Sequence, residues 1–369
     1  MRCFSRTMHT SVAFFAAILV APIPSVFPAQ QSPLLKEDLH PYGFLIFARV
    51  DTLANLTDVN FLTDDRLLAS VNQVDFSGAR FVTYPLGDQP PAKLLLFDVS
   101  QKILLKSKVM PIEKDTNSVR AIAGGRFALI NDAGSPFCSP DLECGPPLAA
   151  RTSIKSSPAG TRVVVGGPAF GTQQLLDAAA LQVLDRFSLT DADHGIIEPV
   201  IPEDDALLLQ KRGQWYRRLP GQSDRHLPFP CCSFRPPASF INGTTIADFE
   251  SDKTLVVEKP DGTILYRVPI RARPNGDVEI IPAQSGARFC LHEKGWTALN
   301  SAMNLGIDED RDFNVESVRV LASESGKVLF DFHENPHPYL TRLSSPALSP
   351  NGRRLAMIRH GFLEVLEIP

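Results

Sequence analysis

Ser349-Pro350-Asn351-Gly352-Arg353-Arg354-Leu355-Ala356-Met357-Ile358 runs a small-residue turn straight into a short apolar strand. A second copy is Ser157-Pro158-Ala159-Gly160-Thr161-Arg162-Val163-Val164-Val165. Five further copies keep the turn and lose Ser-Pro. They are Thr63-Asp64-Asp65-Arg66 before Leu67, Gly124-Gly125-Arg126 before Phe127, Glu203-Asp204-Asp205 before Ala206, Asn242-Gly243 before Ile246, and Ser285-Gly286 before Arg288. Turns of Asn-Gly or Gly-Gly type need positive φ and make tight hairpins. The strand after each turn is mostly apolar, as befits a strand buried between neighbouring sheets.

A second hairpin follows most of these turns. Leu94-Leu95-Leu96-Phe97-Asp98-Val99 meets Ser100-Gln101-Lys102 and then Ile103-Leu104-Leu105. Thr254-Leu255-Val256-Val257-Glu258 and Val318-Arg319-Val320-Leu321 are each followed by a polar turn and another apolar run. Two hairpins per unit make a four-stranded antiparallel blade. The repetition predicts an all-β chain, a β-propeller of seven four-stranded blades. A β-sandwich also has many short strands, but it needs fewer such turns. The last unit runs out of chain before its outer strand. The unpartnered run 42–50 near the N-terminus is expected to supply that edge and close the ring.

Of the 369 residues 44% are hydrophobic, enough for a large core, and 31 prolines with 23 glycines suit a turn-rich chain. The formal net charge is -4 and no basic stripe appears, which argues against a nucleic-acid partner. The first thirty residues read as an export signal. Arg2 and Arg6 precede the apolar run 12–21, which Pro22 and Pro24 break, and Ala29 is a cleavage point. The expected layout is a signal peptide over 1–29 and a single propeller domain over 30–369. No later segment is apolar enough for a membrane helix. The expected compartment is therefore periplasmic or extracellular.

An oxidising compartment permits disulfides. Cys138 and Cys144 flank the turn-forming Ser-Pro-Asp-Leu-Glu, so a local bridge is expected there. Cys290 could pair with Cys231 or Cys232, leaving one thiol over, or several could be buried small apolar residues.

The two Ser-Pro copies resemble the WD-like repeats of TolB-type propellers. The signature there is Ser-Pro-Asp-Gly, two variable residues, then an aliphatic and a small residue. Asn351 and Ala159 stand here in the Asp place. The resemblance is specific at two units, weak at the other five, and spans the mature chain. It implies a propeller fold and, in bacteria, export. It implies no shared reaction, because members act as protein-binding scaffolds, peptidase gates and, more rarely, enzymes.

No motif names a chemistry. His333-Glu334-Asn335-Pro336-His337 matches the zinc-peptidase spacing, but that pattern works only on a helix, and Pro336 sits inside it. A loop between blades is the expectation. Asp308, Asp310 and Asp312 open like a calcium loop, yet Phe313 takes the place of the turn glycine and Arg319 that of the bidentate Glu. Trp215 and Tyr216 could stack on a sugar or peptide, or pack between blades. Asp193 and His194 could form an acid–base pair or a hydrogen-bonded turn. No cofactor is expected.

The functional expectation is a monomeric, non-enzymatic binding scaffold for a protein or glycan, held on the rim or in the central funnel. The alternative is an enzyme with its site in the funnel, a glycan hydrolase or lyase or a cofactor-dependent oxidoreductase. The glycan-cleaving case needs carboxylates or histidines converging at the axis.

Overall fold

The computed structural model describes residues 32–44, 53–75, 92–110, 118–130, 134–148, 152–157, 159–166, 171–189, 207–211, 214–227, 239–242, 245–251, 253–259, 262–271, 277–295, 315–334, 345–359 and 361–369. Residues 33–369 form one compact unit.

Its strands run in chain order as β1 (Leu35–Asp38), β2 (Leu53–Phe61), β3 (Arg66–Asp75), β4 (Ala92–Asp98), β5 (Ile103–Met110), β6 (Ser118–Ala121), β7 (Phe127–Ile130), β8 (Phe137–Cys138) and β9 (Ser153–Ser156). Next come β10 (Arg162–Gly166), β11 (Gly171–Asp177), β12 (Val183–Leu189), β13 (Leu207–Lys211), β14 (Gln214–Arg218), β15 (Arg225–Leu227), β16 (Ser239–Asn242), β17 (Thr245–Ser251) and β18 (Thr254–Glu258). The chain ends with β19 (Ile264–Pro269), β20 (Asp277–Pro282), β21 (Arg288–Gly295), β22 (Val315–Ala322), β23 (Val328–Glu334), β24 (Ala347–Leu348), β25 (Arg354–Arg359) and β26 (Phe362–Glu367).

These strands form consecutive antiparallel sheets, β2 to β5, β6 to β8, β9 to β12, β13 to β15, β16 to β19, β20 to β23, and β24 to β26 with β1. The arrangement is a β-propeller. Four strands were expected in every sheet. Two sheets have three among the described residues, β6-β7-β8 and β13-β14-β15. The first of these runs through a two-residue strand into the disulfide loop. In the second, residues 190–206, which include the turn 203–205, lie outside the described residues.

The repeated turns fall between first and second strands. Residues 62–65 join β2 to β3, 122–126 join β6 to β7, 283–287 join β20 to β21, and 349–353 join β24 to β25. The serine of the Ser-Pro copies has a definite use. The Ser349 hydroxyl accepts the Arg354 N–H at 3.0 Å, and the Ser157 hydroxyl accepts the Arg162 N–H at 3.1 Å. Gly286 sits at φ +66°, and a Cβ there would come within 2.6 Å of Asn242. Glycine is needed both for the backbone and for the approach of the neighbouring turn.

The turns also tie sheet to sheet. Asn242 Nδ2 donates to Gly286 O at 3.2 Å, and Ser285 N to Pro350 O at 2.8 Å. Asn351 N donates to Asp64 Oδ1 at 2.9 Å, and Ala123 N to Gly160 O at 2.7 Å. Each bond spans two neighbouring sheets, so one face of the disc carries a belt of linked turns.

The core is divided among the sheet interfaces. Leu67, Ala69 and Val71 pack with Ala356 and Val365, while Leu68 on the opposite face packs with Phe127 and Leu129. Similar clusters join β9–β12 to the sheets on either side, β16–β19 to β20–β23, and β20–β23 to the last sheet. A strand buried on both faces must be apolar at successive positions, which is the pattern the sequence shows.

The ring closes through its N-terminal strand, but not the one expected. β1 is Leu35–Asp38, pairing with β26 through Leu35↔Val365 and Asp38↔Phe362. Tyr42 instead ends a short 3-10 turn (His40–Tyr42), and Gly43 behind it is left-handed at φ 103°. Residues 45–52 lie outside the described residues. Leu35 is buried against the core, and Lys36 pairs with Glu364 at 2.8 Å. A run with one apolar residue therefore suffices, because only one face of the outermost strand meets the core.

Candidate functional site in the axial channel

Cys138 and Cys144 form the expected disulfide. Cys290 is a free, buried thiol, and Cys231 and Cys232 lie outside the described residues. His333 and Glu334 belong to the end of β23 rather than to a loop, and His337 lies outside the described residues. Asp193, His194, Asp308, Asp310 and Asp312 also lie outside them. Trp215 and Tyr216 are in β14. Tyr216 packs on the Val164, Leu207 and Leu209 cluster and meets the His226 ring edge-on at 5.5 Å. Beside it Arg218 is held by Asp185 at 2.8 Å and Asp224 at 3.2 Å, at the wall of a cleft of about 330 Å³.

A second grouping emerges only from the register. In five sheets the residue after the first strand donates its N–H to the carbonyl of an arginine at or just before the start of the second. These pairs are Leu62 and Arg66, Ile122 and Arg126, Ser157 and Arg162, Ala283 and Arg288, Ser349 and Arg354. The shared bond aligns the first strands residue by residue. Four positions earlier stand Asp58, Ser118, Ser153, Glu279 and Ser345. All are polar; four lie in the first strands of their sheets, and Ser345 stands two residues before β24.

Contacts across the sheets join three of them to their neighbours. Asp58 Oδ2 accepts the Val119 N–H at 2.9 Å, and Asn60 Nδ2 donates to Val119 O at 2.9 Å. Ser345 donates its hydroxyl to Glu279 Oε2 at 2.5 Å. Glu279 thus meets the last sheet, while Asp58, in β2 on the other side of that sheet, meets β6. One oxygen of each carboxylate, Asp58 Oδ1 and Glu279 Oε1, makes none of these bonds.

Behind Glu279 stands a buried histidine. His292 lies opposite Glu279 in the β20–β21 register and has no exposed surface. Its Nε2 is 2.7 Å from Glu316 Oε1, and its Nδ1 is 3.6 Å from Glu279 Oε2, without a hydrogen-bond partner. Burial disfavours charge on this ring, but the close Glu279 and Glu316 carboxylates outweigh it and raise its pKa. Burial likewise pushes Glu279 up, and the nearby His292 ring and the Ser345 hydroxyl outweigh it, so Glu279 is held below the ordinary value. Asp58 goes the other way. Burial raises it, the nearby Glu279 charge adds to the rise, and the Val119 N–H and Arg120 only partly offset them.

The opposite face of the same sheet is locked separately. Arg319 Nη2 bonds Glu293 Oε2 at 3.0 Å and Pro269 O at 2.7 Å, and the Arg271 N–H goes to Glu293 Oε1 at 2.5 Å. Both charged groups are almost fully buried. This network fixes β21 and β22 against the preceding sheet, and so fixes the strand that carries His292.

Among the described residues no cluster of three or more His, Cys, Asp or Glu has the form of a metal site. No helix among them is long and apolar enough to cross a membrane. No protein-family model matches the chain, and no curated protein does. Among solved structures, the crystal structure of Kluyvelomyces marxianus Hsv2 is similar with a TM-score of 0.39 and 11% identity, over 66% of this chain and 69% of that one.

Proposed function

We propose that this chain is an exported, monomeric binding module of the WD-like, TolB-type repeat kind. It takes a protein or glycan partner at the axial channel. The observation that carries this reading is the polar step of the first strands, where Ser345 bonds Glu279 across one seam and Asp58, at the same step two sheets on from Glu279, bonds Val119 across another. These side chains are half-exposed rather than core-filling, so they are available to meet a partner. The Cys138–Cys144 disulfide supports export, since such bonds persist in oxidising compartments.

The test is retention. Tagged wild type and the Asp58→Asn/Glu279→Gln double variant are exposed to the same envelope extract and glycan panel. A ligand held by the wild type and lost by the variant is expected. Equal retention by both removes the channel from the account. N-terminal sequencing of the protein from its host tests export, with cleavage after Ala29 as the expected result.

A second reading is an enzyme acting on glycans. It is favoured by one observation, that neighbouring carboxylates are pushed apart in proton affinity, Asp58 upward and Glu279 downward. Such a division is what a general acid and its ionised partner need. Product analysis on the glycan panel, looking for new reducing ends or unsaturated sugars, separates this reading from simple binding.

A further inference from the structure

We propose that the loop closed by Cys138 and Cys144 is a redox-released plug, which a dithiol reductant frees from the seam between the β2–β5 and β6–β8 sheets without unfolding the disc. The inference goes beyond the binding-module reading and does not rest on it.

The plug is Leu142. Its side chain has no exposed surface and packs among Leu68, Leu94, Leu96 and Phe127 of the two sheets. Its backbone is left-handed, at φ 63°. Among the described residues the other left-handed positions outside glycine are Lys102 and Leu181, and neither is buried. In that conformation Cβ crowds the following carbonyl oxygen. The cost is of the same order as the gain from burying one leucine. Burial by itself therefore barely holds the loop in this shape.

Two further constraints hold it. The first is the disulfide. The β6–β8 sheet has no fourth strand among the described residues, and residues 144–145 lie along β8 in its place. Cys138 pairs there with Cys144, and the Gly145 N–H donates to Phe137 O at 2.9 Å. The covalent bond thus ties the returning limb of the loop to the sheet edge. The second constraint is a pair of lysines from β5. Lys106 Nζ donates to Asp141 O at 2.6 Å, and Lys108 Nζ to Leu142 O at 2.7 Å. Lys106 is exposed, so water competes for its bonds. That leaves the disulfide as the constraint that decides.

The bond is open to exchange from one end. Cys138 is buried, whereas Cys144 is half-buried. A thiolate of the reductant attacks Cys144 Sγ and forms a mixed disulfide. The Cys138–Cys144 bond breaks, and Cys138 leaves as a thiolate that takes up a proton. The second thiol of the reductant then displaces Cys144, which also ends as a thiol. Two electrons pass to the protein, and the reductant ends as a disulfide. Without the closure the loop regains chain freedom. Leu142 returns to right-handed backbone and withdraws, leaving an apolar socket beside Leu94 and Phe127 and an uncovered β8 edge.

The experiment uses the full chain, oxidised and after dithiothreitol without denaturant. Thiol alkylation, hydrogen exchange by mass spectrometry and a hydrophobic dye, anilinonaphthalene sulfonate, are the readouts. Dithiothreitol should open one bridge, with both thiols alkylated and far-UV circular dichroism unchanged. Exchange at the amides of 139–145 should quicken by about tenfold or more, as release of a closed loop implies. Dye fluorescence should rise, exchange in β21 and β22 should stay as it was, and reoxidation should reverse all of this. Cys138→Ser/Cys144→Ser should show the fast exchange without reductant and ignore its addition. Equal exchange at 139–145 in the oxidised and reduced protein overturns the inference. So does a bridge that dithiothreitol opens only after thermal unfolding. Faster exchange across every sheet would make the bond a brace for the whole disc, and would overturn it as well.

Discussion

Ser345 donates its hydroxyl to Glu279 at 2.5 Å, across the seam between the last sheet and the one before it. The bond links two residues that occupy the same step of their respective repeats. It also places a polar bridge where most of that seam is apolar, among Cys290, Val318, Leu355 and Met357. Its energetic partner is His292, on the strand behind.

The pH dependence of stability should report that histidine. His292 has a folded pKa above its unfolded value near 6.5. Its contribution is therefore complete below about pH 6.5 and is lost as pH rises through the folded value. Urea midpoints measured from pH 6 to pH 9 should fall in the wild type. Glu316→Gln weakens the hold on the imidazolium and should flatten the decline. Identical slopes in the two proteins would show that the histidine is not charged in the fold.

The Arg319–Glu293 pair should behave as a buried ion pair. Both side chains are almost inaccessible, at 3% and 1% exposure. Glu293→Gln leaves a buried guanidinium uncompensated and should cost about 3–5 kcal/mol. Replacing both residues with apolar ones of similar volume should recover most of that loss. A double replacement as damaging as the single one would mean that the Pro269 and Arg271 backbone bonds matter more than the charges.

Closure by β1 predicts a sharp contrast between adjacent residues. Leu35→Ala removes a side chain with 3% exposure and should cost about 2–5 kcal/mol. Lys36→Ala removes an exposed partner of Glu364 and should cost less than about 1 kcal/mol. Similar melting temperatures for both variants would contradict a closing role for Leu35–Asp38.

Reduction of the Cys138–Cys144 bond should lower stability by about 2 kcal/mol, because the loop it closes spans only 6 positions. Lys106 and Lys108 of β5 also hold this loop, through the carbonyls of Asp141 and Leu142 at 2.6 and 2.7 Å. The reduced protein should therefore keep its fold, and intact-mass analysis without reductant should find one bridge between these cysteines. Two free thiols at 138 and 144 would contradict it.

The turns and the strands they precede were legible because their chemistry is local. Gly286 and Gly352 mark left-handed backbone, and the apolar runs behind them mark burial on both faces. The closing strand was misplaced because 42–50 is far more apolar than Leu35–Asp38, and an outermost strand needs only one apolar anchor. The repeated arginine was visible at Arg66, Arg126, Arg162, Arg288 and Arg354 but had no reading as a sequence. In the structure it stands at or just before the start of the second strand in five sheets, and Arg288 reaches the next turn at Gly352 O, 3.3 Å away. Counting four positions back from the bond it receives yields the axial level. That level was not legible, because Asp58, Glu279 and Ser345 lie far apart in sequence and only the register sets them at one step.

Retention by the channel is the most direct test of the account. Wild type and the Asp58→Asn/Glu279→Gln variant, matched for folding by circular dichroism, should be immobilised and exposed to one extract of the host. The account predicts a ligand bound in stoichiometric amount by the wild type and absent from the variant. The same ligand held equally by both would place binding elsewhere on the disc and contradict the claim that the axial channel is the functional site.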